Sequence, residues 1–285
     1  MAVYVVSDIH GELELFLAGL DLIRFSDRDE LYVIGDAIDR GDSGIEVLQY
    51  IMEHENMDLL IGNHEFLMLN SVNLQGLWSC NGPDALLWRY GNGGDATWKK
   101  YTMLNDEERS KLLTWLKKRF VIKVIPVKGT DYCLTHSHYK KSCENKRYHQ
   151  LTYGEVFSIT WTSMYRKDTE THNPFNVYES YDYTYSTDDV SEYDLLYMIK
   201  RINGMGKSEM WEDDSPLWAR PQRGAMELFP SGYMQVVGHT PVRRPLEEEC
   251  LLTLDTFSTY PNGNPFGNEK FVLIDTSDPS WHELT

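Results

Sequence analysis

The sequence predicts an α/β fold, an αββα sandwich in which two mixed β-sheets are flanked by helices. Three observations predict it. Strand-like and helix-like apolar patterns alternate through the first 62 residues, strand-like runs return after residue 121, and polar, glycine-containing turns follow directly on several of those runs.

Ala2-Val3-Tyr4-Val5-Val6 reads as a buried strand, and residues 12–24 follow as an amphipathic helix with Leu13, Phe16, Leu17 and Leu20 on one face. Leu31-Tyr32-Val33-Ile34 is the next strand. Ile45, Leu48, Ile51 and Met52 mark a second helix, and Asp58-Leu59-Leu60-Ile61 a third strand, which completes a βαβαβ unit. Trp88 to Thr97 contains Asn92-Gly93-Gly94, which either borders a pocket or is an ordinary glycine turn. Asn105-Asp106-Glu107-Glu108 fits a capping box for a helix carrying Leu112, Leu113, Leu116 and Phe120, with Lys117, Lys118 and Arg119 at its end. Val121–Val127 and Tyr132–Thr135 form a hairpin through Gly129 and deliver His136 at a strand end. Met234–Val237, Leu251–Leu254 and Phe271–Ile274 then supply the second sheet.

Residues 1–285 read as a single domain with an insertion at about 140–215. That insertion is either a cap or a solvated surface segment, since the run Tyr178-Glu179-Ser180-Tyr181-Asp182-Tyr183 is neither clearly helical nor strand-like.

A 41% hydrophobic fraction is enough for a packed core, and no stretch reaches the ~18 apolar residues of a membrane span. The chain enters its first strand without a signal-like segment, so a cytoplasmic location is expected. Cys80, Cys133, Cys143 and Cys250 are widely spaced and contain no CxxC pair, so reduced thiols are expected. With 27 basic and 44 acidic residues the net charge is −17, which opposes nonspecific nucleic-acid binding.

Four stretches place metal-binding side chains at turns directly after apolar runs: Asp8-Ile9-His10-Gly11, Gly35-Asp36-Ala37-Ile38-Asp39-Arg40-Gly41, Gly62-Asn63-His64-Glu65 and Gly238-His239-Thr240. Asp8, His10 and Asp36 offer carboxylate and imidazole ligands to one ion. Asn63, His136 and His239 complete a second site if the fold brings them together, and Asp36 can bridge the two. Carboxyl ends of strands converge in open α/β sheets, and Gly35, Gly41, Gly62 and Gly238 would let the backbone come close to metal and phosphate. Thr135-His136-Ser137-His138 offers two histidines, of which His136 is favoured because it follows the strand directly. Glu65 reads as a helix-start carboxylate rather than a ligand.

The ordered set DxHG, GDxxDRG, GNHE, a later His and GHT resembles the phosphoprotein-phosphatase branch of the calcineurin-like metallophosphoesterases, in particular bacterial and phage serine/threonine phosphatases and symmetrical dinucleoside tetraphosphatases. The resemblance is continuous over residues 1–70 and patchy beyond. It implies two divalent ions, with Mn²⁺ the working choice and Fe²⁺ or Zn²⁺ alternatives, and a metal-bridging hydroxide that attacks phosphorus in line. It further implies His64 as general acid, Asp39 as its orienting carboxylate, and Arg40 and Arg220 as phosphate clamps, Arg220 resting on Leu217-Trp218-Ala219-Arg220. The implied substrate is a phosphorylated protein or a small phosphorylated molecule. Serine/threonine phosphatase activity is expected first, dinucleoside polyphosphate hydrolysis second, and RNA-end or cyclic phosphodiesterase activity third. Gly238-His239 leads into Thr240-Pro241 rather than the Gly-His-x-His of the wider superfamily's nucleases, and intact ligands oppose a silent scaffold.

Overall fold

Strand pleating sorts the side chains of the first three strands onto two faces, and each face meets a different partner. In the computed structural model, which describes residues 2–72, 87–127, 129–152, 155–156, 159, 215–219, 233–242, 246–248, 250–256, 272–274 and 281–283, β1 (Val3–Val6), β2 (Glu30–Val33) and β3 (Met57–Leu59) lie parallel in that order. Tyr4, Val6, Leu31, Val33, Met57 and Leu59 face a helical layer, and Val3, Val5, Tyr32, Ile34 and Leu60 face the second sheet. A parallel sheet covered on both faces has no polar side, which is why its strands read as continuous apolar runs.

The helical layer contains α1 (Leu13–Leu22), α2 (Gly44–Glu53), α3 (Asn63–Ser71), α4 (Asp95–Met103) and α5 (Asp106–Lys117). Phe16 and Leu20 of α1 and Ile45, Leu48 and Ile51 of α2 are buried as their spacing requires, while Leu13 and Leu17 are partly buried against the same core. α5 starts at the expected capping box: the Asn105 side chain accepts the Glu108 N–H at 3.0 Å and the Glu108 carboxylate accepts the Asn105 N–H at 2.8 Å.

The second sheet runs β4 (Ile122–Val127), β5 (Thr130–Thr135), β6 (Tyr233–Val237), β8 (Leu251–Thr253), β7 (Leu246–Glu248). Its three central strands are parallel and both edge strands antiparallel. Gly129, at φ +87°, makes the β4–β5 turn. Leu134, Val236, Leu252 and Leu254 meet the first sheet, so the core between the sheets draws on both. On the far side, Ile122 and Cys133 pack with Phe66, Cys143, Ile159 and Leu217.

One strand differs from its expected place. β9 (Val272–Ile274) pairs antiparallel with β10 (Trp281–Glu283) and runs alongside β1, rather than joining the five-stranded sheet. A short apolar run carries no information about which sheet receives it. Of the segment 140–215, the opening residues are docked on the body through bridges from Glu144 to Ile122 and from Arg147 to Phe120. The Tyr178–Tyr183 run lies outside the described residues, as does Cys80. Cys133, Cys143 and Cys250 are free thiols. Among the described residues no helix is long and apolar enough to cross a membrane.

Candidate metal centre

Each of six parallel strands ends in a turn that carries a polar side chain. β1 leads to Asp8 and His10, β2 to Asp36 and Asp39, β3 to Asn63 and His64, β5 to His136, β6 to His239, and β8 to Asp255. Asp8, Asp36, Asp39, His10, Asn63, His64 and His136 are all buried, and His239 nearly so. The two sheets lie face to face with their parallel strands ending in one region, so residues separated by more than half the chain meet.

Backbone conformation marks the same residues. Asp8, His10, Asp36, Asp39, Arg40 and His239 adopt positive φ between 47° and 72°, and they are six of the eight non-glycine residues that do so among those described. Such conformations cost free energy and concentrate at functional sites. Of the four glycines singled out in the sequence, only Gly35 needs left-handed φ, at +90°. Gly62 and Gly238 are required by space instead, because a Cβ at Gly62 would overlap the Asp36 carboxylate and one at Gly238 the Asp8 carboxylate.

Asp36 is the hub. Its Oδ2 lies 3.8 Å from His10 Nε2 and 3.6 Å from His64 Nε2, and its Oδ1 lies 3.4 Å from His136 Nε2. Two donor groups result, His10–Asp36–His64 and Asp36–His136–His239, each with ligand atoms within 4.8 Å of one another. Asn63 joins the second, its Oδ1 2.8 Å from His136 Nε2. Asp8 is in neither group. Its carboxylate accepts the His239 N–H at 3.1 Å and the Ser7 hydroxyl, so it lies against the second group's backbone. His138 is buried nearby but belongs to neither.

The imidazoles of His10 and His136 are each oriented through their other nitrogen. His10 Nδ1 donates to the Ile38 carbonyl and His136 Nδ1 to the Ile34 carbonyl, both at 3.0 Å, which turns the Nε2 atoms inward. Among the described residues the buried His10 Nε2 has no hydrogen-bond partner. In neutral His136, the Nε2 lone pair faces the Asn63 carbonyl oxygen. Both arrangements are satisfied by a cation, and the mixed imidazole, carboxylate and amide donors suit a divalent transition ion.

Electrostatics point the same way. Burial, then Asp255 and Asp36, push the Asp8 carboxyl well above the ordinary range. Burial lowers His10, helped by Arg40 and His64, so its imidazole stays neutral and able to ligate. Burial opposes the charge on Asp36, but the histidines around it outweigh burial and hold its carboxyl low. Burial likewise opposes protonation of His136, and Asp36 overrides it. Buried carboxylates of this density call for divalent charge.

Three supporting groups do more than their sequence context states. Glu65, at the third position of α3, is fully buried, and its carboxylate accepts backbone N–H groups from Asp36 at 2.9 Å, Ala37 at 2.8 Å and Gly62 at 3.0 Å. It is therefore the helix-start carboxylate expected, but one that also ties the Asp36 turn to the Asn63 turn. Burial and Asp36 raise its pKa to about 7. Glu65→Ala should cost about 3–6 kcal/mol in urea unfolding, roughly 1–2 kcal/mol for each N–H left without an acceptor, and Glu65→Gln less. A loss below about 1 kcal/mol would mean that water replaces the carboxylate. Asp255 is the second, a buried carboxylate whose only sequence signal was its place after a strand. The third is the 88–97 loop, which does border the site: Trp88 Nε1 donates to Asp39 Oδ2, the Asp39 N–H donates to Thr97 Oγ1, and the Arg40 N–H donates to the Gly93 carbonyl.

Arg40 is exposed at the rim, its charge close enough to influence Asp8 and His10. Trp218 meets the His239 ring edge-on at 6.1 Å between centroids. Arg220 lies outside the described residues.

Two donor groups, each able to hold a metal ion, share one carboxylate at the strand ends of a two-sheet sandwich. The chain belongs to the calcineurin-like phosphoesterase family, whose profile matches residues 1–255. Over 139 residues it is 28% identical to a symmetrical bis(5'-nucleosyl)-tetraphosphatase of Nitrosospira multiformis, covering 48% of this chain and 43% of that one. Over 138 residues it is 32% identical to serine/threonine-protein phosphatase 2 of Salmonella typhimurium, covering 48% and 58%. The chain thus matches about half the length of these relatives. Among solved structures, a cold-active protein-tyrosine phosphatase of a Shewanella species aligns over 100% of this chain and 80% of its own with TM-score 0.48 and 18% identity. A putative diadenosine tetraphosphatase aligns over 99% of this chain and 92% of its own with TM-score 0.47 and 15% identity.

Proposed function

We propose that the protein is a metal-dependent phosphoric ester hydrolase, acting first on phosphoserine or phosphothreonine in proteins. The observation that carries the reading is Asp36, whose two oxygens face two separate donor groups. His10, Asp36 and Asp8 would hold one ion, and Asp36, Asn63, His136 and His239 the other. When bound, two divalent ions polarise the phosphoryl group and make water nucleophilic at neutral pH.

The chain's own residues do the rest. His64 Nδ1 donates to Asp39 Oδ2 at 2.6 Å, which fixes the ring and leaves Nε2 facing the site, where it would give a proton to the leaving oxygen. Asp39 is fully buried and supports the imidazolium that precedes transfer. Arg40, at the rim, would take the phosphoryl oxygens through a paired guanidinium contact, and Arg220 is proposed as its partner from the sequence alone.

The Salmonella relative supports the protein-phosphatase reading. A second reading, hydrolysis of a dinucleoside polyphosphate, is supported by the tetraphosphatase relatives, of which the Nitrosospira enzyme is one. Both use the same residues and differ in what surrounds them.

Chelator-stripped protein, supplied with Mn²⁺, Fe²⁺ or Zn²⁺, should regain phosphate release from an aryl phosphate. Parallel assays with a phosphothreonine peptide and diadenosine tetraphosphate divide the two readings. Faster turnover of the peptide supports the first and of the dinucleotide the second, whereas no metal-restored hydrolysis of any of the three overturns both.

A further inference from the structure

We infer that Trp88 is a positioning residue for the His64–Asp39 pair, holding the Asp39 carboxylate in the one rotamer that orients His64 for proton delivery. This rests on the reading of His64 as general acid given above.

Asp39 Oδ2 accepts two hydrogen bonds, from His64 Nδ1 at 2.6 Å and from Trp88 Nε1 at 2.7 Å. Among the described residues its Oδ1, which is buried, has no hydrogen-bond partner. Among the described residues the carboxylate is therefore held through one oxygen, and the indole is one of the two donors on it. Without it, rotation about the terminal torsion would bring Oδ1 and Oδ2 into competition for the imidazole, and the ring would lose its fixed direction.

The indole itself is locked. Trp88 is fully buried, within a π-helical turn, Leu87–Gly91, of the kind that recurs at functional sites. The Gly94 N–H donates to the Trp88 carbonyl at 2.9 Å, and a Cβ on Gly94 would stand 2.6 Å from Trp88 Nε1. Glycine at 94 therefore exists to let the indole reach Asp39. The same loop takes the Asp39 backbone through Thr97 and the Arg40 backbone through Gly93, so both sides of the Asp39 side chain's anchor come from one segment. Tryptophan in a hydrophobic core explains the burial but not a charge-assisted bond to the oxygen that already holds His64.

Trp88→Phe keeps the aromatic volume and removes the donor. In the metal-loaded protein its kcat should fall about 10–100-fold on an alkyl phosphate such as a phosphoserine peptide, in the range of other outer-shell partners. On an aryl phosphate, whose leaving group needs no proton, the fall should be at least tenfold smaller, with metal content unchanged. Gly94→Ala, which displaces the indole without altering it, should give the same alkyl-over-aryl selectivity and serves if the Phe variant does not fold. In an Asp39→Asn background the Trp88→Phe change should add no further selectivity. Equal losses on both substrates, or full additivity with Asp39→Asn, would overturn the assignment and leave a packing role. His64→Ala separates the failures: if it lacks the alkyl-over-aryl split, the general-acid reading falls and Trp88 with it; if it has the split while Trp88→Phe and Gly94→Ala do not, only Trp88's role falls.

Discussion

Asp36→Asn should abolish tight binding of two divalent ions and lower phosphate release by on the order of 10³-fold or more, about 4 kcal/mol or more of transition-state stabilisation. Both donor groups use this one carboxylate, Oδ2 facing His10 and His64 and Oδ1 facing His136. The amide keeps the shape but loses the charge, and it offers only one oxygen where two directions are needed. The Asp36 side chain also takes the His64 N–H at 3.1 Å, so its loss loosens the start of α3. His239→Gln removes a member of the second group only and should reduce affinity for one ion. Metal analysis after gel filtration, read beside kcat, checks the pair. An Asn variant retaining two ions per chain at wild-type affinity would mean that Asp36 is not shared.

His64→Ala should lose about 10²–10⁴-fold in kcat on alkyl phosphates, the usual contribution of a positioned proton donor, and far less on aryl phosphates. The structure gives this residue two descriptions that the experiment tells apart. Its Nε2 falls within the first donor group, 3.6 Å from Asp36, which fits a ligand. Its Nδ1 is bound by a carboxylate rather than by a backbone carbonyl, unlike His10 and His136, which fits a group that must carry positive charge. A general acid leaves metal content nearly intact and makes the rate depend on the leaving group. Loss of one ion with equal damage to every substrate would make His64 a ligand instead.

The contrast between what could and could not be read in advance follows from distance along the chain. β1 to β3 were legible because strands buried on both faces are continuous in sequence, and the ligand turns follow them within three or four residues. The β4–β5 hairpin was legible through Gly129. Trp88 was not, because its bond to Asp39 joins residues 49 positions apart and nothing in a tryptophan followed by Arg-Tyr-Gly states a partner. Glu65 was read as a helix-start carboxylate, and its position in α3 agrees, but its hold on the Asp36 turn depends on how two strand ends are spaced. Asp255 had the same placement after a strand as the recognised ligands and was overlooked because no histidine stands beside it. β9 was read into the wrong sheet because three apolar residues do not encode a neighbour.

The order of the ligands along the chain sets an order of assembly. His10, Asp36 and His64 all belong to the first 72 residues, a parallel βαβαβ unit with its own helical layer, whereas the second group waits for His136 and His239. At ribosomal speeds of about 5–20 residues per second, the interval of about 175 residues between His64 and His239 lasts roughly 9 to 35 s. A nascent chain can therefore present half a centre long before the other half exists, and pairing of β6 with β5, far apart in sequence and slow to form, completes it. Competence arrives with the last third of the polypeptide, so a fragment released early could have a structured first sheet while lacking the histidines that complete the pair.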